Sequence, residues 1–195
     1  MHKATFPLLF SQLQSTQCAL AIRVGLFGEE HSSTADSYHL LGVTQHPQGD
    51  FSLALHCKQC ALDCRLKLVG EEHSSTADSY HSLGHTQHAL GDFTSAVYSK
   101  QRALDTRLKL FGEQHASAAD SYHSPGDTQH ALGDFLSAVF SKQRALDIRL
   151  ELFGEGHLSV AEIAIIQKGR CEDTSACQSA EHGIYVFEKL SALEH

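Results

Sequence analysis

Histidine is the residue of this chain best suited to chemistry, with 15 copies in 195 residues, and the copies recur at a fixed step. His39, His81 and His123 stand 42 residues apart, as do His46, His88 and His130. The second set follows the first by seven residues, two helical turns, so on a helix both sets share one face. Asp36, Asp78 and Asp120, three residues before the first set, belong to the same face. His85 joins them in the middle copy only; its counterparts are Val43 and Asp127. His81, His85 and His88 have the i, i+4, i+7 spacing that can gather imidazoles about a metal ion. Alternatively, the row lines a peptide site that gains positive charge as pH falls through about 6.5, binding an acidic peptide more tightly at low pH. A third reading is that histidine was present in one ancestral unit and was copied with it. No fourth ligand is evident beside His85, so stoichiometric zinc is not expected.

Cys57, Cys60 and Cys64 also share a helical face. Three thiolates on one straight helix do not close a tetrahedral site without a ligand from elsewhere, so free thiols are expected. Their counterparts Ser99, Arg102 and Thr106 are polar, which predicts positions outside the deep core. Cys171 and Cys177 carry no pattern. The six cysteines lack disulfide-framework spacing, and the short apolar patch Phe6–Phe10 runs into Ser11, Gln12, Gln14 and Ser15 rather than into a secretion signal. Reduced thiols in a cytoplasmic protein are the expectation. No HExxH, G-x-S-x-G or phosphate-cradling glycine loop occurs. The glutamates of the Gly-Glu-Glu-His joints sit on connectors where a raised pKa for acid catalysis is hard to achieve. Neither an enzyme nor a cofactor is expected.

The elements that position these residues follow from the repeat. Residues His31–His39 return as His73–His81 and, altered, as His115–His123. Units 73–114 and 115–156 agree at 33 of 42 positions, and units 31–72 and 73–114 at 29 of 42. Upstream, residues 1–30 form a leader and a half-repeat with the second helix only, near 9–27. Downstream, 157–195 starts another copy at His157 and then diverges, with Ile184–Leu193 able to form an amphipathic closing helix. A start in mid-repeat suggests a fragment or a truncated duplicate of a longer array.

Each unit reads as two helices. Ser74 or Ser75 can cap the first, with Asp78 completing a capping-box-like pattern. Ala77, Tyr80, Leu83, Gly84 and Gln87 make one face. Gly91 marks the stop, Asp92 caps the second helix, and Phe93, Ala96, Val97, Ala103, Leu104, Leu108 and Phe111 form its stripe before Gly112. Pro125 replaces Leu41 and Leu83 and predicts a kink or break near Ser121–Pro125. No β-branched alternation predicts a strand. A helix pair cannot bury its apolar face alone, whereas stacked pairs can. The spacing of Leu83-Gly84, Gly91, Ala96 and Ala103, repeated in the neighbouring units, is that of tetratricopeptide helix-packing positions. The fold class is therefore all-α, a right-handed superhelix of stacked antiparallel helix pairs.

Residues Ala103–His115, ALDTRLKLFGEQH, resemble the joint of the 42-residue repeats of kinesin light chains and of the nephrocystin family's tetratricopeptide member. The likeness covers roughly residues 9–165. It implies a scaffold that binds a peptide or partner protein in a concave groove lined by the first helices, here Asp36, His39, His46, Asp78, His81, His85, His88, Asp120, His123 and His130. The chain departs from the family in lacking the light-chain heptad coiled coil, and in placing Ser32, Ser74, Ala116 and Leu158 where proline usually follows the joint histidine. The competing classes are a His-rich metal-binding protein and a structural spacer.

Composition narrows the partners. The formal net charge is −8 and the sequence pI about 6.0. An acidic chain repels phosphate backbones and anionic lipid, so neither nucleic acid nor a membrane surface is an expected partner. No apolar run approaches the roughly 18 residues of a membrane span. A protein or peptide ligand remains.

Overall fold

The computed structural model describes residues 5–154, with side chains from Gln12 onward. These residues form seven α-helices: α1 (Thr5–Phe27), α2 (Ser32–Gln45), α3 (Phe51–Val69), α4 (Ser74–Ala89), α5 (Phe93–Phe111), α6 (Ala116–Leu132) and α7 (Phe135–Phe153). A 3-10 turn, His46–Gln48, follows α2, where Pro47 breaks the α-helical pattern that the other units continue. No strand occurs among the described residues. The pairs α2/α3, α4/α5 and α6/α7 pack internally, and each pair stacks on the next in sequence order, with α1 packed on α2. The divergent copy from His157, the expected closing helix at 184–193, Cys171 and Cys177 lie outside the described residues.

The first helices start on histidine rather than serine. His73 is the N-cap of α4, with φ −130° and ψ 144°, and its Nδ1 accepts from the Ser75 N–H at 3.2 Å. His31 and His115 cap α2 and α6 in the same way. This corrects the serine cap read from the sequence: the imidazole reaches the orphan N–H first. Phe27 stacks on the His31 ring at 4.6 Å and Phe111 on His115 at 4.8 Å, which holds two of these caps in place. Asp50, Asp92 and Asp134 cap the second helices. Gly91 reverses the chain between α4 and α5 at φ +81°, a conformation that strains any residue with a Cβ.

The core is built from small residues and long polar ones. Ala35, Ala54, Ala77, Ala96 and Ala103 are 0% exposed and allow close helix approach. At the tightest contact Gly84 faces Lys100, and a Cβ on Gly84 would lie 2.7 Å from Lys100 Cγ and 3.1 Å from the Ala96 carbonyl oxygen. The lysine stem threads this gap. Its ammonium then donates to Thr128 Oγ1 at 2.7 Å and the Ser124 carbonyl at 3.1 Å on the next first helix. Lys58 does the same to Thr86 Oγ1 and the Ser82 carbonyl. Burial is tolerable because these donors are paired. Arginines form a parallel ladder: Arg65 Nη1 donates to Ser79 Oγ of α4, and Arg107 Nη1 to Ser121 Oγ of α6, both at 2.6 Å.

Two expectations fail here. α6 runs as one helix from Ala116 to Leu132 through Pro125, so the helix does not break near Ser121–Pro125. The proline ring is fully buried and occupies the inter-helix position held by Leu41 and Leu83 in the other units, so its packing offsets part of the cost of the missing backbone bond. Cys57 and Cys64 are buried, at 3% and 6% exposure, despite polar counterparts. Ser99 and Thr106 are equally buried because their hydroxyls find acceptors, Gln87 Oε1 and the Arg102 carbonyl.

Candidate functional site

The first helices α2, α4 and α6 carry the row of histidines and aspartates. Asp36, Asp78 and Asp120 are each held by an arginine of their own unit's second helix. Arg65 bonds Asp36 at 2.8 Å, Arg107 bonds Asp78 at 2.7 Å, and Arg149 bonds Asp120. The arginines are mostly buried, whereas the aspartates stay largely exposed. Each carboxylate is therefore fixed in position and still open on one side.

His39, His81 and His123 are half-buried beside these pairs. Burial is the main cause that lowers all three imidazole pKa values, against a partial pull from the neighbouring aspartates. His81 and His85 approach each other edge-on, with Nε2 to Nε2 at 3.1 Å. Both are pushed down to about 4: His81 by burial and then Arg107 and Lys100, His85 by burial and then His81, Lys100 and Lys58. The second histidine set packs structurally. His46, His88 and His130 each meet the phenylalanine opening the next helix edge-on, at 5.0, 5.1 and 5.2 Å. Burial also lowers the pKa of His46 and His88.

The spacing His81, His85, His88 does not become a triad. His88 turns to Thr128, its Nδ1 lying 3.0 Å from the hydroxyl, and leaves the other two as a pair. Among the described residues no three His, Cys, Asp or Glu side chains are grouped to hold a metal ion. The pair His81–His85 departs from a row that gains charge near pH 6.5. Desolvation and the lysine and arginine ladders keep His81 and His85 neutral well below that value, so the face offers neutral hydrogen-bonding rings over buried ammonium groups.

Along the row one register changes character from unit to unit: Val43, His85 and Asp127. Val43 and its neighbour Leu40 are exposed, at 42% and 49%. Asp127 instead binds Lys142 at 2.7 Å and faces His123 at 3.6 Å. Sequence reasoning passed over Leu40 and the buried lysines. The signal for the lysines was the Gly and Lys recurring together in every unit, since a glycine in mid-helix needs a reason.

A second feature, missed in the sequence, lies on the second helices. A cleft of about 560 Å³ between α5 and α7 is lined by Leu104, Leu108, Tyr122, Leu136 and Phe140. Leu136 and Phe140 replace Thr94 and Tyr98 of the preceding unit and are strongly exposed.

A family model described as "Tetratricopeptide repeat" matches residues 46–109 and 75–151, together more than half of the chain. The chain belongs to the tetratricopeptide repeat family. Its stacked pairs are the right-handed αα superhelix of that fold, and tetratricopeptide repeats generally mediate protein–protein interaction. Among solved structures it is similar to the nearly identical TPR-like repeats of a putative kinesin light chain from Podosopora anserina. The identity is 19% and the TM-score 0.80, over 97% of this chain and 89% of that one. A Q17M form of that protein matches with a TM-score of 0.81 at 19% identity, over 97% of this chain and 88% of that one. BtubC (BKLC) from P. vanneervenii matches at 22% identity and a TM-score of 0.66, over 95% of this chain and 92% of that one. At these identities the likeness carries the fold, of kinesin light chain repeat type. No curated protein matches the chain in sequence. No helix among the described residues is long and apolar enough to cross a membrane.

Proposed function

We propose that this tetratricopeptide array is a non-catalytic interaction scaffold that binds a peptide segment of a partner protein along the first-helix face. The row Asp36, His39, His46, Asp78, His81, His85, His88, Asp120, His123 and His130 frames the site. The observation that carries the reading is the register Val43, His85, Asp127. These positions vary while the surrounding framework repeats, as expected of a surface that reads successive residues of a ligand. Leu40 and Val43 then take an apolar side chain of the peptide, and the neutral pair His81–His85 accepts and donates hydrogen bonds to its backbone. The exposed carboxylates, fixed by buried arginines, limit acidic side chains to the space above Lys58 and Lys100. The free thiols Cys18, Cys57, Cys60 and Cys64 fit a cytoplasmic setting.

Panning a displayed peptide library against the immobilised chain tests the reading. Enriched peptides should share an apolar residue and lose binding to His81→Ala/His85→Ala and to Val43→Asp. No enrichment, or peptides indifferent to both variants, refutes a first-helix site.

A further inference from the structure

The cleft between α5 and α7 is a surface that the histidine row does not use. Unit 115–156 differs from unit 73–114 at nine of 42 positions, and two of the nine, Leu136 for Thr94 and Phe140 for Tyr98, line this cleft. Both exchanges remove a hydroxyl, and both fall on solvent, with Leu136 79% and Phe140 60% exposed. Stacking does not account for that exposure. Thr94 and Tyr98 hold the same registers on α5, where α6 of the following unit is packed against the helix, and both remain exposed, Tyr98 at 64%. The two registers point outward even with a following unit in place, so the apolar pair on α7 is surface in its own right.

The opposite wall is Leu104 and Leu108 of α5, with Tyr122 of α6 between the walls. Leu108 and Tyr122 pack on Ala118, Ala119 and Ile148, so the core holds the floor in position. Among the described residues one charged side chain lines the cleft, Asp105, and no cation does. The exposed Asp105 carboxylate accepts from the Gln101 amide at 2.8 Å, a neutral donor that leaves the negative charge in place.

We propose that this cleft docks a basic amphipathic helix of a partner protein. Its apolar side chains, three and four residues apart, enter between Leu104–Leu108 and Leu136–Phe140, and a lysine or arginine meets Asp105. The site is separate from the first-helix face, and the two readings stand or fall independently. The walls select a helix. Each is a pair at i and i+4, one turn long, which an occupant of the same period matches. An extended segment would turn its own N–H and C=O groups toward leucine and phenylalanine and leave them unpaired, whereas a helix satisfies its backbone internally. The charge selects the sign. Asp105 belongs to a chain of formal net charge −8, so a cation is drawn to the cleft and an acid repelled. The same charge opposes a second copy, since a two-fold contact here would bring the two Asp105 carboxylates together.

Fluorescence anisotropy of the full chain at about 0.15 M salt tests this with labelled synthetic peptides. The probe is a leucine–lysine–alanine peptide of about four helical turns with leucines three and four residues apart. Its controls carry glutamate for lysine, or the same composition scrambled to lose the spacing. The probe should bind at least roughly tenfold more tightly than either control. Leu136→Thr/Phe140→Tyr restores the residues of the preceding unit and so keeps the fold; it should weaken the probe roughly tenfold. Asp105→Asn should weaken it severalfold and flatten its salt dependence. Absence of binding, a control bound as tightly as the probe, or indifference to the cleft variants overturns the proposal. Loss of the probe on His81→Ala/His85→Ala would place it on the first helices and overturn it too. So would a sedimentation mass above 21.3 kDa that Leu136→Thr/Phe140→Tyr returns to that value, which would assign the cleft to a second copy.

Discussion

Gln45 is 1% exposed, and neither its amide nitrogen nor its oxygen has a hydrogen-bond partner among the described residues. Its counterparts show what is missing. Ser99 donates to Gln87 Oε1 at 2.7 Å, and Ser141 donates to Gln129 Oε1 at 2.9 Å. The same register beside Gln45 holds Cys57, a buried thiol that desolvation, then Cys60 and Asp50, push up to about 11, so it stays protonated and is only a weak donor. Cys57→Ser supplies the hydroxyl that two other units already use. A net hydrogen bond contributes about 0.5–1.5 kcal/mol, and relief of a buried unsatisfied acceptor adds to it. The loss of a polarisable sulfur in a tight space offsets part of the gain. The expected outcome is about 1 kcal/mol of stabilisation, or a rise of roughly 2–4 °C in melting temperature for a chain of this size. Cys57→Ala is the control: it removes the sulfur without a donor and should lower stability. Thermal unfolding by circular dichroism, with reductant present, reads both. Serine and alanine falling together below the parent would refute the register argument.

Gly84→Ala should destabilise by about 1–3 kcal/mol, opposite to the gain that alanine brings in an ordinary helix interior, because its Cβ would meet Lys100 Cγ and the Ala96 carbonyl oxygen; urea unfolding measures it. Pro125→Leu should stabilise by about 1–3 kcal/mol, since leucine fills that register in two other units and restores a backbone N–H; an unchanged urea midpoint would show that the proline is fully accommodated. The acid dependence follows from His81 and His85, whose folded values of about 4 lie below the ordinary 6.5. Between those values the unfolded chain binds more protons, so stability falls as pH drops from 6.5 through 4. Melts of the parent and His85→Ala across that window should show a shallower fall in the variant.

Most of the fold was legible because each unit repeats the same local instructions: Gly91 and Gly112 as stops, Asp92 as a cap, and alanines where helices cross. The helix starts misled because serine is the commoner cap, and nothing in one sequence says that the His73 ring will fold back onto the Ser75 N–H. Pro125 misled because a propensity argument does not see that its ring fills a core position. The site was legible only as a row. Spacing placed His39, His81 and His123 on one face, but not the arginines that fix the aspartates, nor the buried lysines. Those come from the second helices and add to burial in lowering the imidazole pKa values. His88 left the expected triad for Thr128, a contact between units that no spacing within one helix can reveal.

Amide hydrogen exchange of the chain, with and without a peptide selected by panning, tests the central claim most directly. Binding along the first-helix face predicts slowed exchange in α2, α4 and α6, greatest around His81 and His85, with α5 and α7 unchanged. Protection confined to the cleft of Leu136 and Phe140 would place recognition on the second helices and contradict the account.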